Sequence, residues 1–381
     1  MLVIDKVRIA YIVSSLKRCG PMVQLLGLIQ GLNRERFQPS IITLSPEPED
    51  TMIQSFLEND VKINSLGLKR RESFLGGKLR KQLSEISPMI VHSHGIRADF
   101  LAATFLQDYY TCNTIHSFVF EDYGLTYGRV MGSLLARQHC RFIRRIIVPI
   151  SCSRTVADKL ARSVQIETEV VPNGVDTKVF VPVTTEEKLM LRKKLGIPLD
   201  CTLFVSTGNL SVLKDPVTLI KGFQQAQLAN SKLVVLGDGP LKDVLAKEAD
   251  DSVIIAGKVS NVHQYLKAAD VYVSCSQSEG LPMAVLEAMS TGIPVVLSNI
   301  DSHREVLQDQ QRAGLTFPTG DATELATQLR KLMGMNVGEM GRQARKIVLD
   351  NYSYATMSKG YQDIYESIAQ RYYAKERKQL L

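Results

Sequence analysis

Two glutamates, Glu279 and Glu287, stand eight positions apart on either side of a Gly-Leu-Pro in a chain of 381 residues. Pro282 suits the first position of a helix, because its ring presets φ and its missing N–H would find no partner there anyway. Gly280, Leu281, Met283 and Ala284 would then gather main-chain N–H groups at a helix start, whose partial positive charge favours a phosphate. Glu279 precedes that start. Glu287 lies five residues beyond Pro282, about 7–8 Å further along the axis. Carboxylates accept hydrogen bonds from paired hydroxyls, so the spacing suggests a ligand with hydroxyls at both ends and phosphate between them, as in a sugar nucleotide. The alternative is that both glutamates merely dress a helix start.

A second cation-bearing loop is "TGNLSVLKDP" at 207–216. Gly208 permits a sharp turn after a strand, and Lys214 stands where an ammonium could meet an anion above a sheet. "GDGP" at 237–240 reads as a turn. The six cysteines (19, 112, 140, 152, 201, 275) form no CxxC pair and lie near no histidine ladder. That argues against a disulfide framework and a zinc site, and for a reducing cytosol. No signal-peptide plan opens the chain and no apolar run reaches roughly 20 residues, so neither secretion by that route nor a membrane span is expected.

The elements that must position these residues follow from periodicity. Apolar runs at 8–13, 40–44, 90–92, 113–115 and 146–150 read as strands, with helical patterns such as 22–32 and 97–106 between them. The alternation restarts with strands at 202–206, 232–236, 252–256, 271–275 and 294–297, and with helices from Pro216, Leu241, Asn261 and Pro282. Two α/β domains follow, each a doubly wound parallel sheet. The length suits two domains of about 150–200 residues. The join falls in "VVPNGVDTKVFVPVTTEE" at 170–187, where Pro172, Asn173, Gly174 and Pro182 interrupt regular structure. Expected boundaries are 1–175, 176–351 and a terminal helical segment 352–381. Ligands bind beyond the carboxyl ends of such strands, so a cleft between facing domains is expected.

Net charge is +7, with +6 of it in residues 1–180. Two clusters carry much of the excess: Lys69, Arg70, Arg71, Lys78, Arg80 and Lys81 in 69–81, and Arg129, Arg137, Arg141, Arg144 and Arg145 in 129–145, where no acid intervenes. One reading is a solvated face. The other is a dock for an anionic membrane surface, which Leu134, Leu135 and Phe142 among the arginines favour over nucleic acid.

"SEGLPMAVLEAMSTGIPVV" at 278–296 resembles the Glu-x7-Glu signature of the retaining, metal-independent GT-B glycosyltransferases of family four. The likeness continues in order through "CGPMVQLLGLIQGL" at 19–32, "VHSHGIRADFLA" at 91–102, "TIHSF" at 114–118, "VPNGVD" at 171–176, "VVLGDGPL" at 234–241 and "AADVYVSCSQSEG" at 268–280. It implies two Rossmann-like domains, the first binding acceptor and the second binding donor, with the terminal helix crossing back to the first. It implies that Glu279 touches the donor sugar, Glu287 the ribose hydroxyls and Lys214 the diphosphate, which the amides of Gly280, Leu281, Met283, Ala284 and Val285 around Pro282 cradle. Lys258 and Val259 match the segment that holds the base, Gly20 the loop beside the donor phosphates, and His116 the histidine near the reacting sugar.

Two departures stand out. Asn209 occupies a position where the family commonly has arginine, so one phosphate cation is missing. "SNIDSHRE" at 298–305 replaces an expected Gly-Gly, and its Arg304 is either a substitute charge or part of a surface helix start. The resemblance implies a transferase acting from a nucleotide sugar, with UDP the commonest donor nucleotide, on a glycan or lipid-linked glycan of a bacterial surface polysaccharide such as O-antigen or capsule. It implies no cofactor or metal, no nucleic-acid partner, and a place on the inner face of the cytoplasmic membrane. A sugar-nucleotide epimerase and a catalytically inert GT-B partner subunit are the alternatives. A dinucleotide dehydrogenase is disfavoured, since "SSLKRCGPMVQ" and not GxGxxG follows the first strand.

Overall fold

The computed structural model describes residues 6–68, 75–308 and 312–379. Two compact units emerge: one takes the chain up to Gly174 and again from Tyr354, and the other spans Val175–Ser353.

In the first unit, strands β1 (Val7–Val13), β2 (Phe37–Thr43), β3 (Lys62–Ser65), β4 (Ile90–His94), β5 (Tyr110–Ile115), β6 (Val148–Ser151) and β7 (Glu169–Val170) form one sheet in the order β3-β2-β1-β4-β5-β6-β7. Every pairing is parallel. β1 and β2 are buried at all but one position each. Near-continuous apolar strands are what a sheet covered on both faces requires. The second unit repeats the plan with β8 (Thr202–Thr207), β9 (Ser231–Leu236), β10 (Val253–Gly257), β11 (Val271–Ser274), β12 (Val295–Ser298) and β13 (Gly314–Phe317), ordered β10-β9-β8-β11-β12-β13. The strand order reverses between β1 and β4 in one sheet and between β8 and β11 in the other. Those are the topological switch points at whose carboxyl ends crevices open.

The expected strands are present with shifted ends. The run 146–150 starts pairing only at Val148, because Ile146 still donates its N–H to Ile143 in the preceding helical turn. Edge strands β3, β7 and β13 were not foreseen. β3 and β7 are short and partly exposed, so the apolar alternation that marks a central strand is absent from them.

The terminal helix, Tyr354–Gln379, completes the core of the first unit. Met357, Tyr361, Tyr365, Ile368 and Ala369 lie buried with Ile9, Tyr11, Leu25, Leu28 and Phe37. Its docking helix, Gly20–Gln30, ends at Gly31, where an added Cβ would sit 2.5 Å from Ser358 Cβ. Ser358 donates to the Leu28 carbonyl at 3.0 Å, and Arg36 grips the Glu366 carboxylate through Nε at 2.6 Å and Nη2 at 2.8 Å. Since both backbones are fixed at this crossing, Gly31→Ala should destabilise the protein by about 1–3 kcal/mol through overpacking. Thermal denaturation of the variant checks this; an unchanged Tm would show that the helix can shift without cost.

Candidate active site

In the second unit, the carboxyl ends of β8 and β11 deliver the two loops that matter. After β8 the chain runs through Gly208 and the exposed Asn209 into a single 3-10 turn, Val212–Lys214. Asp215 then takes the left-handed conformation (φ 47°) and caps the helix Pro216–Ala226, accepting from Thr218 N at 3.2 Å and Thr218 Oγ1 at 2.8 Å. An aspartate tolerates that backbone conformation better than most residues, because its side chain bonds locally. The consequence is that Lys214 leaves the turn in a set direction. Its ammonium forms an ion pair with the Glu279 carboxylate on the loop after β11. Ser276 Oγ donates to the same Glu279 oxygen at 2.8 Å, and the Gln277 N–H to the Leu213 carbonyl at 2.8 Å, which stitches the two loops together.

The "GDGP" segment contributes more than a turn. Leu210 N donates to Asp238 O at 3.0 Å and Leu241 N to Leu210 O at 2.9 Å. Gly237 has φ +143°, and a Cβ there would run into the Gly208 carbonyl. Only glycine lets the β9 loop lie so close beneath the β8 loop.

The helix after Glu279 spans Met283–Ser290, with Pro282 as its N-cap and not its first residue. Pro282 has ψ 87°, outside the helical range, so the helix begins one residue later than its sequence implies. The first-turn N–H groups, those of Met283, Ala284 and Val285 among them, have no intrahelical acceptor. Glu287 lies one turn further on, half-buried, and its carboxylate makes no hydrogen bond or ion pair among the described residues. Burial pushes its carboxyl up to about 7. The phenol of Tyr272 donates to the Thr207 carbonyl at 3.3 Å; burial raises its pKa, and the charges of Glu279 and Glu287 raise it further. Lys258 and Val259 follow the end of β10 directly, with Lys258 exposed.

One residue near Glu279 was not singled out as a site residue from the sequence. His303 is fully buried, and its Nδ1–H donates to the Ser298 carbonyl at 2.7 Å. Ser298 Oγ in turn donates to Ser276 O at 2.6 Å. Burial lowers the His303 pKa to about 4, partly opposed by the Glu279 charge, and its Nε2 has no partner among the described residues. Arg304 next to it turns to the surface, where Asp301 and Asn299 Oδ1 (2.8 Å) take its guanidinium. It belongs to a surface helix, Asp301–Leu307.

In the first unit, Gly20 opens a helix after β1, and a Cβ there would meet only open space. The loop before it is tied down by Glu47, which accepts the Leu16 N–H at 2.9 and 3.1 Å. His116 follows β5. Its Nε2 lies 3.1 Å from His94 Nδ1, and His92, His94 and His116 stack in sequence with ring centroids 4.5 and 5.4 Å apart. His92 is held on one side by the Tyr365 hydroxyl at 2.7 Å and on the other by Thr114 Oγ1 at 2.9 Å. Burial drives all three imidazoles down, His92 to about 3, His116 to about 4 and His94 well below its usual value. All three are therefore neutral at physiological pH, so His116 can offer hydrogen bonds but no charge. The "HSH" at 92–94 was visible in the sequence; that it stacks on His116 was not.

Residues 187–347 match the profile of the glycosyl transferases group 1, and residues 20–179 that of Glycosyltransferase Family 4. The chain is 26% identical over 377 residues to the O-antigen biosynthesis glycosyltransferase WclY of Escherichia coli, covering 95% of this chain and 98% of that protein. It is 25% identical over 316 residues, covering 76% and 81%, to the UDP-Gal:alpha-D-GlcNAc-diphosphoundecaprenol alpha-1,3-galactosyltransferase of the same species. Its fold is similar to that of HepE from Anabaena, solved in complex with UDP, with TM-score 0.79 at 17% identity over 94% of this chain and all of that one. Two parallel sheets, their switch-point loops and these likenesses agree: the chain is a glycosyltransferase of the GT-B fold and belongs to glycosyltransferase family four, group 1.

Proposed function

We propose that this enzyme moves a sugar from a UDP-sugar to a lipid-linked glycan with retention at the anomeric carbon, in the assembly of a bacterial surface polysaccharide such as O-antigen. The observation that carries the reading is the Lys214–Glu279 pair at the β8/β11 switch point, with the half-buried, unpartnered Glu287 one helical turn beyond. Named relatives lend it support: one acts in O-antigen biosynthesis and one bears UDP-Gal and a diphosphoundecaprenol acceptor in its name.

In this reading the diphosphate lies at the start of the helix Met283–Ser290 and draws the ammonium of Lys214 away from Glu279. The carboxylate thus released accepts hydroxyls of the sugar, while Glu287 accepts those of the ribose. Gly208, Asn209, Lys258 and Val259 line the rest of the donor site. Asn209 brings no charge, so Lys214 carries the larger part of the electrostatic work. The acceptor oxygen attacks the anomeric carbon from the side on which UDP departs. The bond from that carbon to the diphosphate oxygen breaks, and the acceptor's proton passes to the departing oxygen. Neutral His116, oriented by His94, positions a sugar hydroxyl, and Gly20 leaves room for phosphate. No residue is asked to form a covalent intermediate and no metal or cofactor is invoked; charge stabilisation and orientation supply the rate. Basic segments 69–81 and 129–145 would hold the first unit against an anionic membrane. Lys69, Arg70 and Arg71 fall outside the described residues, while Lys78, Arg80 and Lys81 lie on the helix Leu75–Ile86, with Arg80 paired to Asp108 at 2.8 Å.

A thermal-shift series with nucleoside diphosphates and their sugars, followed by product analysis on lipid-linked acceptors, tests the reading; a shift with none of the nucleotides would defeat it. Lys214→Ala should lower kcat by roughly 10²–10³-fold, as loss of one preorganised transition-state contact does, with donor affinity less affected. Glu287→Gln should weaken donor binding roughly 10- to 100-fold, the value of a charge-assisted hydrogen-bond pair.

The same variant has a stability signature of opposite sign. The Glu287 carboxyl titrates near 7 instead of near 4.5. Between those values the native state holds a proton that the unfolded chain has lost, so stability falls as pH rises through that window. Glu287→Gln should therefore be more stable than the parent above pH 7, by about 3 kcal/mol, and equal to it below pH 4.5. Denaturation curves across that range decide the matter, and a constant difference would rule out the titration.

A further inference from the structure

Seven buried side-chain polar atoms have no partner among the described residues, and four of them gather at one edge of the first sheet: Thr43 Oγ1, Asn64 Nδ2, His94 Nε2 and Arg97 Nη2. Thr43 ends β2, Asn64 stands one residue before the end of β3, His94 ends β4, and Arg97 lies in the first turn of the helix that follows, Ile96–Phe105. A buried polar group without a partner costs free energy. One such atom is a packing fault; four at the carboxyl edge of a single sheet mark a place prepared for a polar ligand.

Arg97 fixes where on that edge the ligand sits. Its Nη1 donates to Ser45 Oγ at 2.6 Å, and the Ser45 N–H donates to the Ser14 carbonyl at 2.8 Å. Because β1 lies between β2 and β4, a guanidinium that starts after β4 and reaches the loop after β2 crosses the carboxyl end of β1. That is the switch point of this sheet. The nearby acids are engaged elsewhere: Glu47 takes the Leu16 N–H and the Thr51 hydroxyl, and Asp99 takes Ser93, Asn113 and His139. A half-buried arginine bonded to a neutral hydroxyl is left as an unanswered positive charge.

Two further features face the same place. The helix Ile96–Phe105 starts at Gly95 (φ +85°) with no side-chain cap, so the N–H groups of Ile96, Arg97 and Ala98 have no intrahelical acceptor, and a Cβ on Gly95 would meet only open space. His94, 6% exposed, turns Nδ1 to His116 on the β5 side; its Nε2 therefore points away from β5, toward β1 and the Tyr11 ring, whose centroid is 6.2 Å away. A guanidinium fork, free amides and an imidazole around open space suit a phosphoryl oxyanion.

We propose that Arg97, held by Ser45, binds a phosphate of the acceptor, the group that joins its glycan to lipid. This rests on the transferase reading above and deepens it: that reading gives the donor diphosphate to Lys214 and the second unit, which leaves the charge of Arg97 for the other phosphate-bearing substrate. An oxyanion at His94 Nε2 selects the tautomer with its proton there. His116 then donates from Nε2 to His94 Nδ1 and keeps its own Nδ1 as a lone pair able to accept a sugar hydroxyl. One hydrogen bond thus links the acceptor's anchor to the histidine that positions the sugar.

Calorimetric titration of the full-length protein, with UDP present in excess, tests this using decyl diphosphate, its uncharged counterpart decyl glucoside, and inorganic phosphate. Decyl diphosphate should bind and decyl glucoside should not. Arg97→Gln should weaken decyl diphosphate roughly 10- to 100-fold, the value of a charge-assisted pair of hydrogen bonds, with UDP affinity unchanged. Arg97→Lys, which keeps the charge without the fork, should fall between; if Arg97→Gln lacks the parent's Tm, the lysine variant decides, and parental affinity in it overturns the proposal. Parental affinity in Arg97→Gln does the same, as does decyl glucoside binding as well as the diphosphate. Inorganic phosphate binding as tightly as decyl diphosphate would make this a site for a free anion, and UDP weakened by Arg97→Gln would give the arginine to the donor; either result overturns the acceptor assignment. A parent that binds no UDP defeats the donor reading alone, and the Arg97→Gln comparison remains decisive for Arg97.

Discussion

The ion pair between Lys214 and Glu279 is the interaction around which the candidate site of the second unit is organised. It joins loops from two strands that diverge at the switch point, and each partner is held from its own side. Asp215 sets Lys214 by capping the following helix, and Ser276, itself bonded through Ser298 to His303, sets Glu279. An ammonium and a carboxylate that satisfy each other avoid the penalty of a partly buried lone charge. On the proposed reading the arrangement costs little to open, because a diphosphate would offer Lys214 a stronger anion and a sugar would offer Glu279 neutral donors.

The first unit places its chemistry differently. Three stacked imidazoles, all neutral, and the tyrosine hydroxyls of the terminal helix form a hydrogen-bonded set with no net charge beside the buried Asp99 network. An ion pair marks the switch point of one sheet, and neutral donors and acceptors mark the strand ends of the other.

Central strands were legible in the sequence because burial on both faces demands unbroken apolar runs, and β1, β8, β9 and β12 carry them. The edge strands β3, β7 and β13 were not, and Lys62–Ser65, which needs only one neighbour, shows no such run. Pro282 was assigned correctly to a helix start but one position too deep, as its N-cap geometry depends on how the preceding loop is held. Glu279, Glu287 and Lys214 were legible as chemistry-bearing types at strand ends. The pairing of two of them was not, because 65 positions separate them and only the sheet order brings their loops together. The partners His94 and His303 escaped for the same reason, since packing and not local pattern puts each beside the site.

The first unit is discontinuous along the chain, and its core stays incomplete until Met357, Tyr361 and Tyr365 arrive. During synthesis, all of Val175–Ser353 leaves the ribosome before those side chains do. The second unit can therefore settle first, while the β1–β7 sheet waits with one apolar face only partly covered, by the helix Gly20–Gln30, until the last segment docks. The order of folding runs against the order of translation, and the exposed interval falls on the first-made half of the chain, where a chaperone would have something to hold.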